Sequence, residues 1–100
     1  MKSVNAPSLQ RIISAVAKAQ GLSVSDLTGG RRQAHIVKGR HMVMWVATYY
    51  TPATLSAIAA ALGMRNHASV LWGRDQIDWD CQRASDRGES LHEWVRINCL

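Results

Sequence analysis

The stretch TLSAIAAALGMRNHASVLWGRDQ, residues 54–76, decides the fold of this chain. Thr54 can cap a short helix, and the apolar residues that follow it recur at helical spacing. Ala59 is small enough for a close helix crossing, Gly63 can supply the left-handed conformation of a sharp turn, and Asn66 can cap a second, longer helix. A short helix, a tight turn and a longer helix form a helix-turn-helix. Many helical hairpins share this pattern, so the rest of the chain must support it.

Helical signals also fill the N-terminal part of the chain. Apolar residues spaced three and four apart predict an amphipathic helix over Ser8–Gln20. Pro7 suits the first turn of this helix, and Gly21 suits its C-terminal stop. Ser23–Leu27 is predicted to form a short helix, because Ser23 and Asp26 have the spacing of a capping box.

The middle of the chain combines a basic segment with an apolar one. Residues 31–40 show no convincing period and predict a loop or the irregular beginning of a helix. Met42–Tyr50 is apolar on almost every side, which is typical of a helix at the centre of a domain, and Trp45 is expected in the core. Thr51-Pro52 should end this helix.

The C-terminal part predicts two more helices and no strand. A long helix begins near His67 and breaks around residues 86–88, and a last helix covers Leu91–Cys99. We therefore predict an all-α fold of five or six helices around a central apolar helix. Residues 1–100 would form one domain, with the helix-turn-helix at about 54–80 and an acidic C-terminal helix at about 89–100. The residues expected to face inward on the long helix are Val70, Ile77, Cys81 and Ala84, and the last helix carries Leu91, Trp94, Val95 and Asn98 on one side.

Three side chains on the long helix lie off its inward stripe. Arg74 is expected to form a salt bridge with Asp78, four residues further on. Trp72 and Trp79 are seven residues apart. They would either pack against the last helix or form an exposed pair that marks a dimer or partner surface.

The charge distribution points to a polyanionic partner. The chain of 100 residues carries a net charge of +5, and no acidic residue lies between Asp26 and Asp75. A fold that gathers this middle part on one side would present a positive surface suited to DNA. The alternative is a solvated basic face, or a helical interaction module that docks an acidic protein and uses its tryptophans for the contact. The basic and histidine side chains of the acid-free part are Arg31, Arg32, His35, Lys38, Arg40, His41, Arg65, His67 and Arg74.

The other function classes have little support. No nucleophile motif or glycine-rich phosphate cradle is present, so we expect no catalytic residue and no cofactor. The histidines and the two cysteines show no paired metal-ligand spacing, which argues against a metal site. No apolar run exceeds six residues, far short of the roughly 18 of a membrane span. The N-terminus shows no signal region, so we expect a cytoplasmic protein.

Three segments resemble the C-terminal DNA-binding domain of the bacterial replication initiator DnaA, whose helix-turn-helix is Trp-repressor-like. The first is LSVSDL (22–27), followed by the basic Arg31-Arg32, and the second is KGRHMVM (38–44). The third, GMRNHASVL (63–71), is the most specific, because it resembles the family signature Gly-Gly-Arg-Asp-His-Thr-Thr-Val-Leu in register. The resemblance covers roughly residues 9–80 and implies binding to double-stranded DNA.

The resemblance also implies roles for individual residues. Arg32 matches an arginine that reaches into the minor groove, and Arg40 matches one near the phosphates. His41 stands where the family usually has glutamine. The DNA-binding residues expected on this basis and from charge are Arg31, Arg32, Lys38, Arg40, His41, Arg65, Asn66, His67, Ala68 and Ser69.

Two of the departures from the family signature bear on base recognition. Asn66 replaces an aspartate, and an amide can both donate to and accept from adenine, whereas a carboxylate can only accept, for instance from cytosine. Ala68 replaces a threonine and keeps a methyl group but loses the hydroxyl. The DNA sequence that is recognised should therefore differ from the initiator's own box.

The expected function is that of a stand-alone, sequence-specific DNA-binding protein. These 100 residues have no Gly-x-x-x-x-Gly-Lys-Ser/Thr phosphate loop, so a transcriptional regulator is a better interpretation than an ATP-driven initiator. A phage or phage-like element is a suitable source, an inference from architecture alone. A replication accessory protein that binds origin sites is the alternative. The acidic, tryptophan-containing C-terminal region could contact the transcription machinery, another protein partner or a second copy.

Overall fold

The fold is a set of helices packed around one central helix. A computed structural model describes residues 6–30 and 32–100, and in this part of the chain it contains six α-helices and no strand. The prediction of an all-α fold with five or six helices is confirmed. The helices are α1 (Leu9–Gln20), α2 (Val24–Thr28), α3 (Ala34–Tyr50), α4 (Leu55–Ala61), α5 (Ala68–Arg83) and α6 (Glu89–Asn98).

Helix α3 runs through the centre, as its apolar sequence predicted. Residues 43–47 are all buried, and α1, α2 and α5 pack around them. The indole of Trp45 is 1% exposed, and its Nε1 donates to Oδ1 of Asp78 on α5 at 2.8 Å, so the one polar atom of this large core side chain has a partner. No helix in the described ranges is both long and apolar enough to cross a membrane.

The helix boundaries follow the capping residues of the sequence. Ser23 and Asp26 form the predicted capping box at the start of α2, and Gly21 ends α1 at φ 69°. The Thr54 hydroxyl accepts from the Ala57 N–H at 3.0 Å and starts α4. The place predicted for Pro7 was wrong, because α1 begins at Leu9 and the proline lies before the cap rather than in the first turn.

The beginning of α3 differs from the prediction. Residues 34–40 form regular helix rather than a loop, so α3 starts eight residues before Met42. A core-facing period does exist at Ile36, Gly39, Arg40 and Val43, all of them buried. A glycine and an arginine occupy two of these four positions, and neither produces a hydrophobic signal in the sequence.

The inward face of α5 is shorter than predicted. Val70, Ile77 and Val95 are buried, but Cys81 is only half-buried and Ala84 is exposed, because α5 ends at Arg83. Helix α6 begins at Glu89, where the Asp86 carboxylate accepts the backbone N–H at 2.7 Å. On the side of α6 that carries Val95, Leu91 and Trp94 are half-buried. Asn98 is exposed, and its Nδ2 donates to the Trp94 carbonyl at 2.9 Å.

Candidate nucleic-acid interface

The turn between α4 and α5 rests on the end of α2. Gly63 adopts φ 71°, the left-handed conformation predicted for it, and the Met64 N–H donates to the Ala59 carbonyl at 2.8 Å. A Cβ on Gly63 would collide with the Thr28 carbonyl oxygen, so the turn needs glycine for its close approach as well as for its φ angle. The helix-turn-helix is therefore held against the short helix that precedes the basic segment.

The exposed start of α5 carries the predicted base-reading residues. Asn66, His67 and Ala68 are exposed, and Ser69 is half-buried. The Asn66 Oδ1 accepts from the Ala68 N–H at 2.9 Å, so this side chain satisfies the first backbone donor of α5, although His67 rather than Asn66 occupies the N-cap position. An amide oxygen has two lone pairs, so the cap leaves one acceptor site and the NH₂ donors of Asn66 for another partner. Arg65, in the turn itself, is also exposed.

Gly30 and Arg32 of the α2–α3 loop, the segment that connects these two helices, lie beside the same turn. Arg32 is exposed and, with Leu62 and Met64 from the helix-turn-helix, lines a hollow of about 360 Å³. The structure thus brings the predicted minor-groove arginine and the turn to one side of the molecule. Arg31, the other predicted residue of this loop, lies outside the described residues.

Arg40 is built into the fold. Its side chain is buried, its Nε donates to the Leu27 carbonyl at 2.7 Å, and its Nη2 donates to the Asp26 carbonyl at 3.3 Å. Burial lowers the pKa of this guanidinium from its usual value. These two carbonyls belong to the C-terminal end of α2, where helix carbonyls lack intrahelical partners. Arg40 therefore fixes α2, and with it the α2–α3 loop, to α3; the sequence did not predict this role.

His41 lies at the crossing of α3 and α5. It is half-buried, and a Cβ on Gly73 would stand 2.8 Å from its ring carbon Cδ2. Desolvation by burial lowers the pKa of His41, the nearby Asp80 opposes this shift, and Arg40 adds to it. A neutral imidazole at this crossing can accept or donate a hydrogen bond but adds no positive charge to the surface.

Lys38 faces a different part of the surface. Its Nζ lies 3.7 Å from Oδ2 of Asp80 on α5. It lines a groove with Met42, Leu91 and Trp94 rather than the hollow beside Arg32. The structure thus separates Lys38 from the other predicted contacts, and its phosphate contact stays a prediction.

The partner predicted for Arg74 was wrong. Arg74 pairs with the adjacent Asp75 at 3.2 Å, and its guanidinium carbon lies 5.8 Å from the centre of the Tyr49 ring. Asp78 is not available, because its carboxylate accepts from Trp45 and from the hydroxyl of Tyr49. Both donors lie on α3, and spacing along α5 alone could not reveal them.

Comparison with known proteins agrees with this geometry. Residues 9–77 match the family described as the bacterial dnaA protein helix-turn-helix. The chain belongs to this family. The family match covers α1 to α4 and the first part of α5 with its exposed start, so the resemblance seen in the three sequence segments is confirmed. Helix α6 lies beyond the matched residues.

Curated relatives in this family are chromosomal replication initiator proteins DnaA. The protein from Latilactobacillus sakei subsp. sakei (strain 23K) is 34% identical over 70 residues, 70% of this chain and 16% of the relative. The protein from Azoarcus sp. (strain BH72) is 36% identical over 64 residues, 64% of this chain and 13% of the relative. The protein from Porphyromonas gingivalis (strain ATCC BAA-308 / W83) is 35% identical over 72 residues, 72% of this chain and 15% of the relative. The chain thus spans about a sixth of the length of these initiators or less.

Proposed function

We propose that this chain binds double-stranded DNA in a sequence-specific manner, with α5 as the recognition helix in the major groove. The observation that carries the proposal is the helix-turn-helix of a DnaA family member with Asn66, His67 and Ala68 exposed at the start of α5. Recognition helices use their N-terminal residues to contact base edges. The Asn66 amide keeps the donor and acceptor capacity that adenine requires.

A second contact would come from the α2–α3 loop. Arg32 is exposed beside the α4–α5 turn, and in this position a guanidinium can enter the minor groove next to the major-groove contact. Arg31 would share this loop contact. Arg65, Lys38 and His41 would contribute phosphate contacts or hydrogen bonds, which position a protein on the duplex without reading its sequence. Arg40 would add a phosphate contact through Nη1, the guanidinium nitrogen for which the described structure gives no hydrogen bond.

The bound sequence would differ from the site of the replication initiators. Asn66 and Ala68 occupy signature positions where the family carries aspartate and threonine, and both side chains are exposed at the helix start. A change from a charged acceptor to an amide alters which base edge can be paired. A DnaA-like domain with its own site suits transcriptional regulation in the cytoplasm. The acidic helix α6, which lies outside the family match, would be the surface for the transcription machinery or another protein partner.

Competition for the initiator's own sites is the second candidate function. The relatives are replication initiators, and Arg65, His67, Val70 and Leu71 keep their places in the family signature. If these residues dominate recognition, the preferred sequence would overlap the initiator's box. The two candidates therefore differ in one measurable property, the sequence that the chain prefers.

Selection from a random duplex pool tests the proposal and separates the candidates. We expect enrichment of one short sequence, with affinity at least about 10³-fold above that for unrelated duplex. Log K should fall with log salt with a slope of about −0.9 per phosphate contacted, and we expect roughly four to six contacts.

Matched arginine variants localise the interface. Arg65→Ala should reduce the magnitude of the slope by about one contact. Arg96→Ala should leave the slope unchanged, because Arg96 is also exposed but lies on α6 and pairs with Glu93. The absence of any enriched sequence, together with a slope near zero, would contradict the proposal and favour a protein-docking module.

A further inference from the structure

Two tryptophans on α5 are exposed to solvent. Trp72 is 59% exposed and Trp79 is 46% exposed, so of the two alternatives the structure shows the exposed pair. Their rings pack edge to face, with centroids 6.1 Å apart and planes at 86°. The core side of α5 is formed by Val70, Gly73 and Ile77 instead. Large apolar side chains that cluster on a surface without serving the core mark a contact site.

The pair continues the proposed DNA interface along α5. Trp72 lies one turn after Ala68, about 6 Å further along the helix axis. A side chain at this distance is still within reach of a major groove about 12 Å wide and 8.5 Å deep. Trp79 lies eleven residues after Ala68, about 16 Å along the axis, and is therefore outside the groove.

The charges around the pair argue against a phosphate contact. Beyond Ser69, the two arginines of α5 are already paired, Arg74 with Asp75 and Arg83 with Asp80. This part of α5 carries three aspartates and two arginines, so it has no excess positive charge, and the exposed group that it offers to DNA is aromatic. On the base edges of the major groove, the apolar group is the C5-methyl of thymine.

We propose that Trp72 contacts a thymine methyl group one turn beyond the base contacts of Asn66–Ser69. Trp79 is then a positioning residue, since its ring packs against the Trp72 indole and restricts its orientation. The inference rests on the proposed DNA binding and adds a specificity-determining residue to it. It also predicts that the preferred site extends further along the groove than the helix start alone would reach.

Replacing each thymine of the selected site by deoxyuridine, in turn, removes one methyl group at a time. The whole chain should lose roughly fourfold in affinity at one position, the worth of one buried methyl group. Trp72→Ala should bind the unmodified site about tenfold more weakly. At that position it should not distinguish thymine from deoxyuridine. Its salt slope should equal that of the wild type, because no phosphate contact is lost.

Two further variants complete the set. Trp79→Ala should bind with an affinity between those of the wild type and Trp72→Ala, and it should keep part of the thymine preference. Ile97→Ala is the matched control. Ile97 is an apolar side chain 66% exposed on α6, and its removal should change neither affinity nor base preference.

The outcomes separate this inference from the proposed function. If the wild type selects a sequence but loses affinity at no deoxyuridine position, the methyl contact is refuted while DNA binding stands; this test needs no folded variant. A reduced salt slope in Trp72→Ala would overturn the inference in favour of a phosphate contact. A dimer of the free protein that Trp72→Ala dissociates, measured by sedimentation, would assign the face to a second copy. No selected sequence at all would refute the proposed function itself.

Discussion

Arg40 offers the sharpest test of how the interface is held together. Arg40→Met keeps a side chain of similar length but removes both hydrogen bonds to the end of α2, 2.7 Å to the Leu27 carbonyl and 3.3 Å to the Asp26 carbonyl. A hydrogen bond from a charged donor contributes about 1.5–3 kcal/mol. The second hydrogen bond is long, and the lowered pKa of Arg40 indicates that its guanidinium is desolvated. We therefore expect the two bonds together to contribute about 2–3 kcal/mol, less than the sum of two full hydrogen bonds from a charged donor.

Urea unfolding of the variant and of a matched control measures this loss. For a domain of this size, 2–3 kcal/mol corresponds to a decrease in Tm of roughly 8–24 °C. Arg96→Met removes an exposed arginine that pairs with Glu93, and it should cost less than about 1 kcal/mol. Equal free energies of unfolding for Arg40→Met and Arg96→Met would refute the structural role. Because Nε and Nη2 bind carbonyls, Arg40→Met should reduce the magnitude of the salt slope of DNA binding by no more than one contact, about 0.9.

Three further predictions concern single side chains. Arg32→Ala should weaken binding to the selected site by about 1–3 kcal/mol, most strongly where the neighbouring minor groove is A·T-rich; unchanged affinity would remove Arg32 from the interface. Asn66→Asp should keep the fold, since both residues cap helices well. It should shift the preferred base at one position away from adenine by about 1–3 kcal/mol. If the base-preference profiles of the wild type and the variant overlay at every position, Asn66 is only a cap. Burial lowers the pKa of His41, so the folded state resists its protonation and stability should fall as the pH decreases from about 7.5 to about 5.5. His41→Gln should flatten that pH dependence, and identical profiles of unfolding free energy against pH would contradict the assignment.

Local signals in the sequence were enough to predict much of the fold. Thr54, Gly63 and Asn66 each act within a few residues of their own position, through caps and a left-handed turn. These interactions depend on residue type and spacing, which the sequence displays directly. The all-α class and the position of the helix-turn-helix followed from them.

Features that depend on contacts between helices could not be predicted in this way. A Cβ on Gly39 would stand 2.8 Å from Cδ2 of Leu27, so α2 packs directly on the α3 backbone, and glycine gives no hydrophobic signal for such a contact. The burial of Arg40 could not be predicted either, because its hydrogen-bond partners are backbone carbonyl groups, which every sequence has. The exposure of Trp72 and Trp79 was one of two alternatives that the sequence left open. A seven-residue spacing places both side chains on one face of the helix, but it does not show whether another helix covers that face.

The last three carbonyl groups of α2 connect the two parts of the proposed interface. Arg40 binds those of Asp26 and Leu27, and Gly63 lies so close to that of Thr28 that a Cβ could not be accommodated. The first contact fixes α2 to α3, and the second fixes the helix-turn-helix to α2. The C-terminal end of α2 therefore determines the distance between the α2–α3 loop and the start of α5. Minor-groove and major-groove contacts must match the spacing of the duplex at the same time. A substitution that alters the contacts of Arg40 or Gly63 with the end of α2 should therefore weaken both contacts together, even though no atom of these contacts is proposed to touch a base.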